Sequence, residues 1–262
     1  MTGGFPPRLV ELLNPPTGVV ALAARHVESG RTWRHNEHLA LPSASLIKLP
    51  LLAAFWEAVE AGRLDPNERV SVPVEARVEG TGVLKALAPG LQPTWSDLAT
   101  LMITVSDNVA ANLVIDRIGM DVIQGWIDKA GLVGTRIERR MMDRAAMSVG
   151  RGNWTSAADT ETILSAVAAG TCVSGQASRE MRRALEAQQI QDRLPRRLAD
   201  GVRVANKTGN FADVIHDAGI VTWAGGTLVI AVLTRGVHPT WQAMDAIAET
   251  AGVLIRVCAE SG

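Results

Sequence analysis

Pro42-Ser43-Ala44-Ser45-Leu46-Ile47-Lys48, running directly into the apolar residues 49–56, is the segment whose reading decides the fold. Small and polar residues ahead of an apolar, helically periodic run predict a helix start, with Ser45 in the first turn and Lys48 one turn later on the same face. A hydroxyl and an amine are thereby set side by side. Free N–H groups and the macrodipole at a helix N-terminus favour negative charge, which suits a serine whose reaction passes through an oxyanion. Serine is a weak nucleophile at neutral pH, and a lysine whose pKa is lowered by burial can take its proton. Ser45 is the candidate nucleophile and Lys48 its candidate base. On its own, this spacing fits a capped helix equally well.

Two further triplets change that balance. Ser106-Asp107-Asn108 and Lys207-Thr208-Gly209 follow in order, and all three motifs together arise by chance far more rarely than the first alone. Residues 94–105 predict a helix, capped by Thr94 to Asp97 and carrying Leu98, Leu101, Met102 and Val105 at core spacing; residues 109–118 predict another, ending at Gly119. The middle triplet is therefore held at a junction between two apolar helices. There Ser106 is suited to pass a proton to a leaving group, Asn108 to hydrogen-bond a substrate carbonyl, and Asp107 to fix the turn through backbone hydrogen bonds. The chain contains no tyrosine, which excludes the serine enzymes that place a Tyr at the proton-relay position and leaves that role to Ser106.

Residues 202–209 alternate as a strand that ends in the third triplet. Lys207 adds positive charge near Ser106, and Thr208 offers a hydroxyl to a substrate carboxylate. Gly209 permits close approach to the backbone, and the N–H of Asn210 can join that of Ser45 in an oxyanion hole. His216, on the adjoining strand, is a substrate-binding candidate facing a substrate carboxylate; a packed His is the alternative.

The rest of the chain supplies the scaffold. Residues 8–13 read as a short helix, 18–27 and 32–36 as a hairpin, and 43–186 as predominantly helical. Pro50 should bend or locally open the first helix of that region. Residues 178–191 predict a helix with a basic outer face. Residues 218–223 and 227–233 predict two strands joined at Gly225-Gly226, and 240–258 a closing helix. Residues 134–156 form a long loop rich in charge, Met and Gly, of the kind that often walls a site.

The 26 basic and 27 acidic residues nearly cancel, and no block of like charge marks a nucleic-acid or membrane partner. A monomer acting on a small molecule is expected. The residues after Met1 lack the pattern of a secretory signal, so a cytoplasmic protein or a mature form is expected. Cys172 and Cys258 are expected as reduced core thiols. His35 and His38 are too few for a metal centre, and the chemistry calls for neither metal nor organic cofactor.

With these motifs the chain, from about Gly18 to its last helix, resembles the class A β-lactamase-type serine hydrolases of the penicillin-recognising superfamily. Gly80-Thr81-Gly82-Val83-Leu84 and residues 100–105 add to the likeness. The resemblance implies an α+β fold in which a five-stranded antiparallel sheet, covered by helices, carries an inserted all-helical domain. The sheet domain would comprise residues 1–43 and 187–262, the inserted domain 44–186, and the site would lie in the cleft between them. It also implies a glutamate in the long loop, two residues after an arginine that resembles Arg139, and an asparagine four residues later. Here those positions are Met141 and Ala145. Glu138 and Asp143 are acidic but offset. A thioether cannot accept a proton from water, so acylation with slow deacylation is expected. A serine hydrolase for another substrate, such as an esterase, D-alanyl peptidase or acyltransferase, and a covalent penicillin-binding or sensing protein remain alternatives.

Overall fold

The alternation along β1 (Val19–His26) sorts the molecule into layers. In the computed structural model, which describes residues 4–259, Val20, Leu22 and Ala24 point to one side of a sheet and Ala21 and Ala23 to the other. The sheet also contains β2 (Thr32–His35), β5 (Arg203–Phe211), β6 (Val214–Trp223) and β7 (Gly226–Arg235). Its order is β2-β1-β7-β6-β5 and every pairing is antiparallel. Strands from both ends of the chain thus meet at β1 and β7, with Ala23 opposite Ala231. The α+β expectation of a five-stranded antiparallel sheet covered by helices is what the chain adopts.

On the first face lie α1 (Pro7–Leu13) and α9 (Thr240–Ala259). Leu9, Leu13, Ile247 and Leu254 pack there on Leu22, Ile230, Val232 and Trp33, all almost fully buried. Each such aliphatic side chain contributes about 1.5–3 kcal/mol by leaving water. The second face is lined by small residues, Ala21, Ala23, Ala218 and Ala231, which lets α7 (Ala157–Ala169) sit close on β1, β6 and β7. Further helices stack behind it: α2 (Lys48–Glu60), α3 (Trp95–Thr104), α4 (Asn108–Ile118), α5 (Met120–Lys129) and α8 (Gly175–Glu186). One continuous hydrophobic core joins these helices to the sheet. No helix among the described residues is long and apolar enough to cross a membrane.

Several expectations shift in detail. The first turn at Ser45 is a 3₁₀ turn, Ala44–Ile47, and the α-helix begins only at Lys48. Pro50 therefore lies in the first α-helical turn, where its missing N–H leaves nothing unpaired, and it does not open the helix. The helix expected over 178–191 begins earlier and ends earlier, as Ser174 caps it and Gln188 turns inward to bond the Ile103 carbonyl. Within the long loop are the short α6 (Arg144–Ser148) and β4 (Trp154–Thr155), which pairs with β3 (Leu41–Pro42). The outermost residues of the expected sheet domain, 1–3 and 260–262, lie outside the described residues.

Candidate active site

Three supports converge on the turn that carries Ser45. Leu41 and Pro42 pair with Thr155 and Trp154, and the Ser43 N–H donates to the Asn153 carbonyl at 2.8 Å. From the sheet side, His216 reaches the Pro42 carbonyl at 2.9 Å. From below, Gly209 approaches so closely that a Cβ there would stand 3.3 Å from both the Ala44 Cβ and the His216 ring. Ala44 itself has a left-handed backbone, φ +44°, immediately before the half-buried Ser45. Strain of this kind persists only where the surroundings over-determine it.

Lys48 projects from the first turn of α2 and is wholly buried. Its Nζ donates to the Ser106 carbonyl at 2.7 Å and to Asn108 Oδ1 at 2.8 Å, and lies 3.2 Å from Ser106 Oγ. Burial, reinforced by the charge of Lys207, holds its pKa well below the usual lysine value. The amine meets three oxygens, two of them on Ser106. Among the described residues none is hydrogen-bonded to the Ser45 hydroxyl, and the Lys48 amine expected beside it is bonded to Ser106 and Asn108 instead. Apo geometries of this kind often tighten only around substrate.

Ser106 Oγ also lies 3.0 Å from Nζ of Lys207, which donates in addition to the Thr208 carbonyl at 2.8 Å. Burial lowers the pKa of Lys207 to about 7, with Asp217 opposing that shift and Arg193 adding to it. One hydroxyl thus bridges two buried amines. Ser106 has φ +54°, and its carbonyl is shared by Lys48 and the Thr81 hydroxyl. Asp107 explains how so tight a turn survives. Its Oδ1 accepts the N–H groups of Val109 and Ala110, capping α4, while Oδ2 accepts those of Val83 and Leu84. The Gly80-Thr81-Gly82 segment is pressed against it, and a Cβ on Gly82 would collide with the Asp107 carboxylate.

Thr208, Gly209 and Asn210 follow Lys207 along β5, the edge strand; Thr208 and Gly209 are buried and Asn210 is exposed. Asn108 donates through Nδ2 to the Glu79 carbonyl at 3.1 Å. The expectation for His216 is corrected. Its ring is fully buried, Nδ1 accepts the Thr234 N–H at 3.1 Å, and the proton on Nε2 goes to Pro42. Burial lowers its pKa to about 4, so it stays neutral and has no donor left for a substrate. It positions the Ser45 turn.

The loop of residues 134–156 is pinned by two asparagines that the sequence reading missed. Asn112 grips Met141 by both backbone groups, accepting its N–H at 2.7 Å and donating to its carbonyl at 3.1 Å. Asn153 accepts from Glu138 and Arg139 and donates to the Arg139 carbonyl. Asn112 lies one helical turn after Asn108, a spacing that put it in reach of the same site. Met141 is buried in the core. Glu138 is engaged by Arg136 and the Gly152 N–H, and Asp143 caps α6, so neither carboxylate is free.

Missed too were Asp217, which holds Asn206 and the Leu194 N–H, and the buried Arg193, which donates to the His216 carbonyl at 2.9 Å. A separate cavity of about 630 Å³ between α2, α5 and α7 contains Cys172 and none of the motif residues. Burial pushes that thiol up to about 12, which leaves it unreactive. The motif side chains cluster instead around Ser106.

The sequence profile of the Beta-lactamase enzyme family matches residues 7–257. A β-lactamase of Rhodobacter capsulatus is 27% identical over 121 residues, and β-lactamase PSE-4 of Pseudomonas aeruginosa is 24% identical over 143. The chain spans 41% and 48% of the length of these curated relatives. Among solved structures, a β-lactamase from Sphaerobacter thermophilus superposes with a TM-score of 0.88 at 32% identity, covering 92% of each chain. PBP-A superposes with a TM-score of 0.88 at 26% identity, covering 97% of this chain and 95% of its own. With its five-stranded sheet and a profile match along almost its whole length, this chain belongs to the β-lactamase enzyme family.

Proposed function

We propose that the protein is a serine hydrolase of the β-lactamase type, which attacks β-lactam or related amide and ester carbonyls through an acyl-enzyme on Ser45. The observation that carries this reading is the Ser106 hydroxyl, 3.0 Å from Lys207 Nζ and 3.2 Å from Lys48 Nζ. In the proposed reaction neutral Lys48 takes the Ser45 proton as Oγ bonds to the carbonyl carbon. The N–H groups of Ser45 and Asn210 receive the negative charge that forms on oxygen. As that intermediate collapses, the bond from carbon to the leaving atom breaks. The Ser106 hydroxyl gives its proton to that atom and regains one from the Lys48 ammonium. Lys207, when protonated, stabilises the negative charge passing through Ser106. Asn108 and Gly209 border the acyl group, and Thr208 takes a carboxylate on the leaving side.

Deacylation is the step we assign as slow. A water attacking the ester needs a base, and the loop offers the thioether of Met141, whose backbone is held by Asn112. Loss of a positioned base costs roughly 10²–10⁴-fold. A Leu→Glu variant of PBP-A is known as an acyl-enzyme complex with penicillin G, which supports the penicillin arm of this reading. A covalent penicillin-binding or sensing role is the second reading, favoured by Met141. The esterase and D-alanyl peptidase alternatives differ in substrate, and an acyltransferase differs also in passing the acyl group to an acceptor other than water.

The test compares acylation by a penicillin, a D-alanyl depsipeptide and a D-alanyl-D-alanine peptide, in wild type and Ser45→Ala. Whichever substrate reacts should lose roughly 10³-fold or more in the variant. Unchanged reaction in Ser45→Ala overturns the proposal. Reaction with the depsipeptide alone moves the assignment to a peptidase or acyltransferase.

A further inference from the structure

The loop of residues 134–156 carries Arg136, Arg139, Arg140, Arg144 and Arg151 against only two carboxylates, in a chain of net charge −1. Arg136 pairs with Glu138 at 2.8 Å, Arg140 with Asp116 at 2.9 Å, and Arg144 with Glu79. Arg139 and Arg151 are in no such ion pair among the described residues, and of the two Arg151 is exposed while Arg139 is half-buried. Among the described residues it has no carboxylate within 4.0 Å, and its guanidinium makes one hydrogen bond, to the Arg140 carbonyl at 3.0 Å. Its Nε is buried without a partner. A guanidinium has five N–H donors, and withdrawing one of them, the Nε–H, from water unpaired is unfavourable. Burial holds its pKa below the ordinary arginine value, with the charge of Asp143 opposing that shift.

Where this guanidinium lies gives the cost a purpose. Its Cζ stands 5.8 Å from the centre of the Phe211 ring. Phe211 ends β5, one residue past Asn210, on the same face of the strand as Lys207 and Gly209. Asn153 holds the backbone of Arg139 by both its N–H and its carbonyl, so the side chain starts from a rigid point. In the proposed reaction the leaving-side carboxylate lies at Thr208 and the reacting carbonyl at the Asn210 N–H. A substrate running along β5 then has its acyl portion directed toward Phe211 and the loop.

We propose that Arg139 is a specificity residue that binds a carboxylate carried on the acyl side of the substrate, so that anionic acyl donors are favoured. This rests on Ser45 acylation as proposed above and adds the chemistry of the acyl group.

The experiment compares benzylpenicillin with its α-carboxy derivative, two β-lactams that differ by one carboxylate, and reads the rate of adduct formation on Ser45 by intact mass. Wild type should react about tenfold to a hundredfold faster with the carboxylated compound, relative to Arg139→Gln, the scale of a charge-assisted hydrogen bond. Arg139→Lys should keep part of that preference, since charge remains while the fork is lost. Equal ratios in wild type and in folded Arg139→Gln overturn the proposal. So does a wild type that does not favour the carboxylated compound, whatever the variants do. Adducts forming without preference remove only the anion subsite; no adduct from either compound removes the penicillin reading and the subsite with it.

Discussion

Lys207 is wholly buried between Ser106 and the carbonyl of Thr208, and its charge depends on what lies behind it. Burial brings its pKa to about 7, while the Asp217 carboxylate favours the ammonium and Arg193 disfavours it. If acylation needs the Lys207 charge, the rate falls as pH rises through that value. Replacing Asp217 by Asn removes the negative charge that holds the proton, so the alkaline limb of the acylation profile should move to lower pH, by about one unit or more. The pH–rate profile of the folded variant checks this. A limb that stays in place means that Lys207 is not the group being titrated. Asp217 was not legible as a site residue because its importance comes from strand register, which sets Lys207 opposite Ala218 and Thr208 opposite Asp217. His216 was legible as a strand residue near the third motif. Which atoms its two nitrogens bind depends on Thr234 and Pro42, both distant in sequence, and no local pattern reports that.

At the scale of elements, amphipathic helices and alternating strands could be read because their periodicity runs over many residues. α9 and β7 were placed within a few residues. β3 and β4, two residues each, and the 3₁₀ turn at Ser45 carry too little periodicity to be seen. The loop of residues 134–156 lies between these cases: its presence was plain, its course was not. In the proposed function that course governs turnover, because Asn112 fixes the backbone at Met141. Met141→Glu would put a carboxylate there. We expect hydrolysis of the acyl adduct to rise by roughly 10²–10⁴-fold, read as penicillin consumed per chain. The same change should lower the melting temperature, since Met141 is buried and an ionised Glu is not readily accommodated there. An unchanged adduct lifetime in the folded variant would mean that the Met141 side chain does not reach the acyl carbonyl.

For the molecule as a whole, the division into residues 1–43 with 187–262 and an inserted 44–186 is a proposal about chain topology. Its energetic counterpart differs. Ala21, Ala23, Ala218 and Leu233 of the sheet share one core with Leu52, Phe55, Met102 and Leu164 of the helices, so neither part buries that surface alone. A single cooperative transition follows, and calorimetric and van't Hoff enthalpies should agree. Two resolved transitions would show that the helices fold on their own. The same shared core holds the Ser45 turn, the Ser106 turn and β5 together, through Leu46, Ile47, Ile103, Val109 and Ala205.

The measurement that bears most directly on the account is intact mass over time after mixing the protein with a penicillin, beside the loss of free drug. One penicillin should add per chain, on Ser45, and persist while little drug is consumed, with no addition in Ser45→Ala. Rapid drug loss with no lasting adduct would contradict the slow deacylation assigned to Met141. Addition that survives Ser45→Ala would contradict the nucleophile itself.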